Sequence, residues 1–307
     1  MTGVLLVNMG GPESSKQMRI FLKNMFKDPF ILPYSKPIRC LLALIISYTR
    51  YKKSWEKYKL IGGTPIVKAT QKTVQRLQEK LGSKYKVSMA FSYSSPLIKK
   101  SCLQFIKEGI HDITIIPLYP QASYSTTSSV KADVEKAIPS KGQFNIRFIK
   151  EFYENELFIE FWSDLITKHI TEFHYTRPFL LFSAHSIPQY LQDKGDNYPW
   201  AIALCSNRIA KKSGLEYDFA YQSGMKRGKW LEPNTKDKLK ELNESGKKEI
   251  ILVPISFVNE NLETLYDLDR DILPYANKDL GIKSISRVKI PEGSDSFINL
   301  LSDLIEQ

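Results

Sequence analysis

The chain has 307 residues, and its hydrophobic fraction of 42% is typical of a folded protein and excludes wholesale disorder. The length predicts roughly two domains at about 150 residues each. The 44 basic and 33 acidic residues give a net charge of +11, and the three cysteines, which lack CxxC spacing, exclude a disulfide scaffold and argue against a thiolate metal site.

The first half of the chain alternates short apolar runs with longer stretches of helical periodicity. Strands are predicted at 3–8, 86–92, 112–118 and 145–149, and helices at 13–25, 65–81, 96–108 and 128–137. Gly10 and Gly11 follow the first strand and permit either a plain turn or a close approach of the backbone to a ligand. The hydroxyl-rich loop 123–129 can hold an anion, although each hydroxyl alone is an ordinary helix cap.

Positive charge is concentrated in residues 30–60, which hold seven basic residues and one acidic residue. Aromatic and aliphatic residues lie among these charges. One interpretation is an amphipathic lip that contacts an anionic membrane or ligand, and the other is a core helix with a solvated basic face. Nucleic-acid binding is a weaker third interpretation, because no recognised nucleic-acid motif surrounds the segment. No apolar run approaches the roughly 20 residues of a membrane span.

The second half repeats the same rhythm. Helices are predicted at 155–173, 198–212, 235–243 and 261–274, and strands at 178–184, 217–222, 248–255 and 282–288. Strands that are apolar on both faces and separated by helices indicate parallel sheets covered on both sides. We therefore predict an α/β protein with two doubly wound domains, in which ligands bind beyond the carboxyl ends of the strands.

His185 follows a buried strand directly and is the one histidine of the four in such a position. A neutral imidazole there can accept a proton or bind a transition metal near pH 7, although a structural role is the alternative. The other three, His111, His169 and His174, have no acidic or cysteine partner pattern, and we interpret them as surface residues.

Three carboxylates, Glu263, Asp267 and Asp271, recur at four-residue spacing after the 248–255 strand. On an α-helix this spacing places them along one face. Such a stripe either passes divalent cations and protons inward or is simply a solvated helix face. Together with His185, the carboxylates suit metal delivery coupled to proton removal.

Seven segments together resemble the ferrochelatase family, the class II chelatases that insert ferrous iron into a porphyrin. They are LLVNMGGP (5–12), IGGTPI (61–66), PLYPQ (117–121), SAHSIP (183–188), YQSG (221–224), WLEP (230–233) and PISFVNENLETL (254–265). The resemblance implies two similar Rossmann-like domains, 1–152 and 153–307, with a porphyrin cleft between them. Residues 30–60 would form the lip of the cleft. The terminal helix, although it belongs to the second domain in sequence, could pack against the first domain.

The same resemblance assigns roles to individual residues. The catalytic pair falls on His185 and Glu263, and the metal ligands fall on these two residues with Asp267 and Asp271. The residues that line or approach the porphyrin are, by the same resemblance, Met9, Tyr119, Ser123, Trp230 and Phe257. Whether His185 or Glu263 takes the pyrrole proton stays open.

Two positions depart from the family pattern. Asn261 stands where the family has histidine, so a proton relay there would need water or Glu260. Ser92 replaces an arginine and removes a fixed charge near the cleft. The resemblance implies Fe²⁺ as substrate and no prosthetic group, and no iron–sulfur cluster is expected, since the chain lacks the cysteine-bearing extension of some relatives.

The expected reaction is the insertion of Fe²⁺ into protoporphyrin IX, the terminal step of haem biosynthesis. The expected location is the cytoplasm, with residues 30–60 in peripheral contact with the inner face of the membrane, and no nucleic-acid partner is expected. The alternatives are a porphyrin or haem carrier without turnover, and a chelatase for coproporphyrin or another tetrapyrrole.

Overall fold

The computed structural model describes residues 1–138, 144–224 and 228–307. The chain forms two compact units, one of Met1–Glu151 with Glu292–Gln307 and the other of Phe152–Pro291. Each unit has a four-stranded parallel sheet with flanking helices, which confirms the predicted α/β class. No helix among the described residues is both long and apolar enough to cross a membrane.

The sheet of the first unit has the order β2-β1-β3-β4, with all neighbouring strands parallel. Its strands are β1 (Thr2–Asn8), β2 (Tyr85–Phe91), β3 (Asp112–Pro117) and β4 (Asn145–Phe148). The two central strands are buried on both faces, because neighbouring residues such as Leu5 and Leu6 point to opposite faces of the sheet and both are fully buried.

Four of the helices before β4 in this unit begin and end close to the predicted limits, and Lys36–Leu60 is a helix for which the sequence analysis gave no limits. The helices are α1 (Ser15–Phe26), α2 (Lys36–Leu60), α3 (Pro65–Leu81), α4 (Ile98–Lys107) and α5 (Ser129–Ala137), with a 3₁₀ turn (Gly82–Lys84) and a π-helical segment (Tyr124–Ser128). The turn after β1 requires glycine at position 10, where φ is +80° and a Cβ atom would lie 2.7 Å from the Cβ of Phe91.

The α2 helix is not a core helix, so that interpretation of residues 30–60 is wrong. It packs on α1, and only Ala43, Ser47 and Tyr58 of its residues are buried. Its large exposed apolar residues are Ile38, Leu41, Leu44, Ile45, Tyr48 and Leu60. The helix therefore presents apolar and basic side chains together on an open surface.

The sheet of the second unit has the order β6-β5-β7-β8 and is also fully parallel. Its strands are β5 (Phe179–His185), β6 (Tyr217–Gln222), β7 (Glu249–Val253) and β8 (Ser284–Arg287). The helices of this unit are α6 (Glu156–Phe173), α7 (Gln189–Asp193), α8 (Tyr198–Ser213), α9 (Thr235–Glu244) and α10 (Leu273–Lys278). The final helix, α11 (Asp295–Glu306), belongs to the first unit.

Two sequence-based predictions need correction in the second unit. The acidic segment after β7 is a π-helix over Glu263–Ile272, whereas the spacing predicts an α-helix. His169 is buried and not on the surface: one ring nitrogen lies 2.7 Å from the Oγ of Ser286, and the ring stacks on Phe173. The apolar face of α6 explains its burial, because His169 follows Trp162 and Ile166 on the buried face of that helix.

Candidate active site

His185 is held by its backbone at the carboxyl end of β5. Its N–H donates to the Oγ of Ser256 at 3.0 Å, and its carbonyl accepts from the hydroxyl of Tyr198 at 2.9 Å. Tyr198 and Ser256 are joined by a hydrogen bond of 2.7 Å, and burial raises the pKa of Tyr198 so that it stays a neutral donor. These contacts fix the Cα of His185 and leave its ring available for chemistry.

The imidazole of His185 is partly exposed, and its nitrogens have no hydrogen-bond partner among the described residues. The ring of Phe257 stands edge-on to it, with 6.5 Å between centroids. The backbone of Trp230 forms a β-bridge with Pro188, which lies three residues after His185. An imidazole with free nitrogens beside an aromatic ring suits proton or metal exchange with a flat apolar molecule.

The three predicted carboxylates lie on the π-helix, which begins at Glu263. Asp267 accepts a hydrogen bond from Ser223 at 2.7 Å, and Asp271 pairs with the Nζ of Lys236 at 2.8 Å. The described residues contain no assembled group of three or more His, Cys, Asp or Glu side chains that could hold a metal ion. The outer end of the acidic row is thus already balanced by a lysine, which the sequence analysis did not identify.

Asn261 and Glu260 have structural partners of their own. The side-chain carbonyl of Asn261 accepts from the N–H of Thr264 at 2.9 Å and caps the start of the π-helix. One oxygen of Glu260 accepts from Arg287 and from the N–H of Ile290, each at 2.9 Å. Asn261 therefore acts as a cap, and both oxygens of Glu260 accept hydrogen bonds from other residues.

Arg287 is the main polar residue that sequence reasoning missed in this unit. Its side chain is 1% exposed and forms two 2.7 Å hydrogen bonds with Asp269 of the π-helix in addition to its bond with Glu260. Burial lowers its pKa, but the contacts with Asp269 and Glu260 outweigh that effect and raise it. The available signal was an arginine inside the predicted 282–288 strand.

In the first unit, the residues after β1 and β2 meet. The N–H of Tyr93 donates to the carbonyl of Met9 at 3.2 Å, and the hydroxyl of Tyr93 donates to Asp28 at 2.7 Å. Ser129 also donates to Asp28. Burial, reinforced by the charge of Asp28, holds the pKa of Tyr93 well above its usual value. Met9 itself is partly exposed beside this polar cluster.

Tyr119 and Ser123 follow β3 in the first unit. Tyr119 is partly buried and packs against the apolar core. Ser123 is buried and caps the π-helical segment by accepting from the N–H of Ser125 at 3.3 Å. The local role of Ser123 is therefore the helix cap that the hydroxyl-rich sequence suggested as the ordinary interpretation.

This fold and this set of side chains define a class: α/β proteins of two parallel-sheet units with a histidine and a row of carboxylates after central strands. The family model described as Ferrochelatase matches residues 1–307, and the chain belongs to the ferrochelatase family. It is a metal chelatase that inserts a metal ion into a porphyrin, and porphyrin and ferrous iron are the substrates of its family.

Curated relatives support the same assignment over nearly the whole chain. The chain is 37% identical to a ferrochelatase of Aquifex aeolicus, covering 99% of this chain and 98% of the relative. It is 36% identical to that of Gloeothece citriformis, covering 99% and 81%. A solved structure, SirB from Bacillus subtilis with Fe3+, superposes with a TM-score of 0.58 at 10% identity over 99% of this chain and 95% of that chain, which shows a shared fold.

Proposed function

We propose that this chain inserts Fe²⁺ into protoporphyrin IX and releases protohaem, the terminal step of haem biosynthesis. The observation that carries the proposal is the imidazole of His185, whose backbone is fixed by Ser256 and Tyr198 while its nitrogens are free of partners among the described residues. A general base needs this combination of fixed position and free lone pair.

The reaction requires two pyrrole N–H protons to leave as the metal enters. His185 accepts one of them on one face of the macrocycle, and its aromatic neighbour Phe257 supports the apolar ring system. Distortion of the flat ring exposes the nitrogen lone pairs, and binding energy from the rest of the macrocycle supplies that distortion. Asn261 and Glu260 take no part in this transfer, because both are engaged in local hydrogen bonds.

Glu263 receives Fe²⁺ or the second proton in this proposal. Asp267 and Asp271 follow it on the π-helix and provide oxygen ligands of the kind that hard cations prefer. The charge of Lys236 on Asp271 makes that outer carboxylate the weakest ligand of the row. The macrocycle is held by Met9, Trp230, Phe257, Tyr119 and Ser123, as the family resemblance implies.

Protoporphyrin IX is the proposed substrate over coproporphyrin. Relatives that act on coproporphyrin tend to carry tyrosine at the position of Met9, and a methionine there offers a flexible apolar contact to vinyl-bearing rings. The more polar coproporphyrin would gain nothing from this contact. A comparison of kcat/KM for the two porphyrins tests this part of the proposal directly.

The experiment is an anaerobic assay of the purified chain with Fe²⁺ and each porphyrin, followed by visible spectroscopy. We expect many turnovers with protoporphyrin IX, and we expect His185→Ala to lower kcat at least the roughly 10²-fold typical of a general base. His174→Ala is the matched control, because His174 is an exposed histidine at the end of α6. Near-native turnover by His185→Ala would contradict the assigned role.

The carrier alternative makes a different prediction in the same assay. With a carrier, the porphyrin spectrum would shift until one porphyrin is bound per protein. No metalloporphyrin would form in excess of the protein. Glu263→Gln would then leave the spectral titration unchanged, whereas a chelatase should lose turnover on this change.

We also propose a cytoplasmic location with peripheral contact between α2 and an anionic membrane surface. The helix exposes Leu41, Ile45 and Tyr48 at 59%, 49% and 59%, and basic residues follow them in the sequence from Arg50 onward. Apolar side chains that enter the interface and lysines that attract anionic headgroups are the two components of such binding.

Flotation with vesicles tests this contact. Vesicles containing phosphatidylserine should carry the protein, and neutral phosphatidylcholine vesicles should carry less. Leu41→Ser with Ile45→Ser should reduce flotation severalfold, whereas Leu103→Ser, another exposed apolar position on a helix, should not. Equal flotation with all proteins would contradict the proposed surface.

A further inference from the structure

A cavity of about 250 Å³ lies at the carboxyl end of β2 in the first unit. Its walls come from the end of α1, from Ser92 directly after β2, from the start of α4 and from the end of α5. In open α/β sheets, ligands bind beyond the carboxyl ends of the strands, and β2 is the edge strand of this sheet. We refer to this cavity as the α4 pocket.

The α4 pocket carries a net positive charge. Its charged lining residues are Lys27, Lys99, Lys136 and Asp133. Lys136 pairs with Asp133 at 3.1 Å, while neither Lys27 nor Lys99 forms an ion pair with any residue that the structure describes. Two lysines therefore face this cavity without a counter-charge, which favours an anion.

A buried hydroxyl and an uncapped helix add directional donors to this charge. Ser92 is only 9% exposed, and among the described residues its Oγ has no hydrogen-bond partner. The ten-residue helix α4 begins at Ile98, and its N-cap residue Leu97 supplies no side-chain hydrogen bond. Ser92 lines the cavity, so its hydroxyl and the first N–H groups of α4 are donors that suit a ligand that accepts hydrogen bonds.

We propose that the α4 pocket binds a phosphate group, either inorganic phosphate or the phosphate of a small ester. A tetrahedral dianion can accept from Ser92, from the N-terminus of α4 and from Lys27 and Lys99 at once, whereas a planar carboxylate has fewer acceptor directions. The volume of about 250 Å³ exceeds that of phosphate alone and leaves room for a short organic group.

Isothermal titration of the 307-residue chain with inorganic phosphate, glycerol 3-phosphate and acetate tests the proposal. Measurements are made at matched ionic strength, because nonspecific attraction to the basic chain is screened by salt. We expect one inorganic phosphate to bind per chain in a saturable way. If the natural ligand is a phosphate ester, glycerol 3-phosphate should bind more tightly than inorganic phosphate. Acetate should bind at least about tenfold more weakly.

Variants locate the binding. Lys99→Gln and Ser92→Ala should each weaken phosphate binding, Lys99→Gln by about tenfold, as expected when a charged hydrogen-bond donor is lost. Lys107→Gln removes the same charge from the last turn of α4 and should leave binding unchanged. Absence of saturable binding, or equal losses in Lys99→Gln and Lys107→Gln, would overturn the proposal, and a thermal melt of each variant confirms that it is folded.

Discussion

At the residue scale, the backbone contacts of His185 suggest that Tyr198 is a positioning residue for the imidazole. Tyr198→Phe removes the donor to the His185 carbonyl and the bond to Ser256. We expect kcat to fall by about tenfold with little change in the KM for porphyrin, because small displacements of a catalytic group carry large rate costs. Steady-state kinetics with protoporphyrin IX measures both constants.

Tyr175→Phe provides the matched control for this prediction. Its hydroxyl also bonds a serine, Ser286, at 2.7 Å, but at the opposite end of the sheet from His185. Each change should cost about 1 kcal/mol of stability. If both variants lose kcat equally, stability and not the position of His185 explains the effect.

His169 predicts a pH dependence of stability. Burial lowers its pKa below the ordinary 6.5, with Glu172 opposing the shift and Arg287 and Lys289 supporting it. The unfolded chain therefore binds a proton that the folded chain excludes between the lowered pKa and pH 6.5, so the free energy of unfolding decreases as pH falls through that window. Stability from the neutral ring is fully present above about pH 6.5.

The measurement compares thermal melts of the native chain and His169→Gln between pH 7.5 and 5. Glutamine keeps a polar group near Ser286 and does not titrate, and the other three histidines are common to both proteins. The stability advantage of the native chain should shrink as the pH decreases. Parallel profiles would show that His169 keeps the same pKa in the folded and unfolded states.

At the element scale, Arg287 fixes the π-helix that carries the candidate carboxylates. Its guanidinium joins β8 to Asp269 on the π-helix and to Glu260 in the preceding loop. Arg287→Met leaves the largely buried Glu260 carboxylate without this counter-charge, and we expect a loss of about 3 kcal/mol in the free energy of unfolding. Urea denaturation measures it.

Arg208→Met is the control for Arg287→Met, because Arg208 pairs with an exposed carboxylate. Glu156, its partner, has a side chain that is 72% exposed, so Arg208→Met should cost at most about 1 kcal/mol. Losses of similar size in the two variants would mean that the buried network contributes no more than a surface pair.

Periodicity predicts most of the elements, because the central strands are apolar runs and most of the helices have one apolar face, but it gave no limits for α2 or α7. It does not predict the type of helix after β7, since a spacing of four residues fits one face of an α-helix and the wider π-helical turn almost equally. The position of His185 follows from its place after an apolar run. The pairing of Lys236 with Asp271 does not, because these residues lie 35 positions apart and meet only through tertiary packing.

At the scale of the whole molecule, the first unit is completed by the last segment of the chain. The chain leaves this unit at Glu151 and returns at Glu292. Arg147 in β4 donates to the carbonyl of Ile305 at 2.8 Å, and Arg76 in α3 pairs with Asp295 at the start of α11. The stability of the first unit should therefore depend on residues that follow the whole of the second unit in the sequence.

Leu301 is the sharpest probe of this dependence, because it lies on α11 and is fully buried. Leu301→Ala should reduce the free energy of unfolding by about 2–5 kcal/mol through lost apolar contacts and the cavity left behind. Asn299→Ala, an exposed change on the same helix, should stay within about 0.5 kcal/mol of the native chain. Urea denaturation followed by tryptophan fluorescence and circular dichroism compares the two, and a Leu301 variant as stable as the Asn299 variant would mean that α11 contributes little to the unit that it joins.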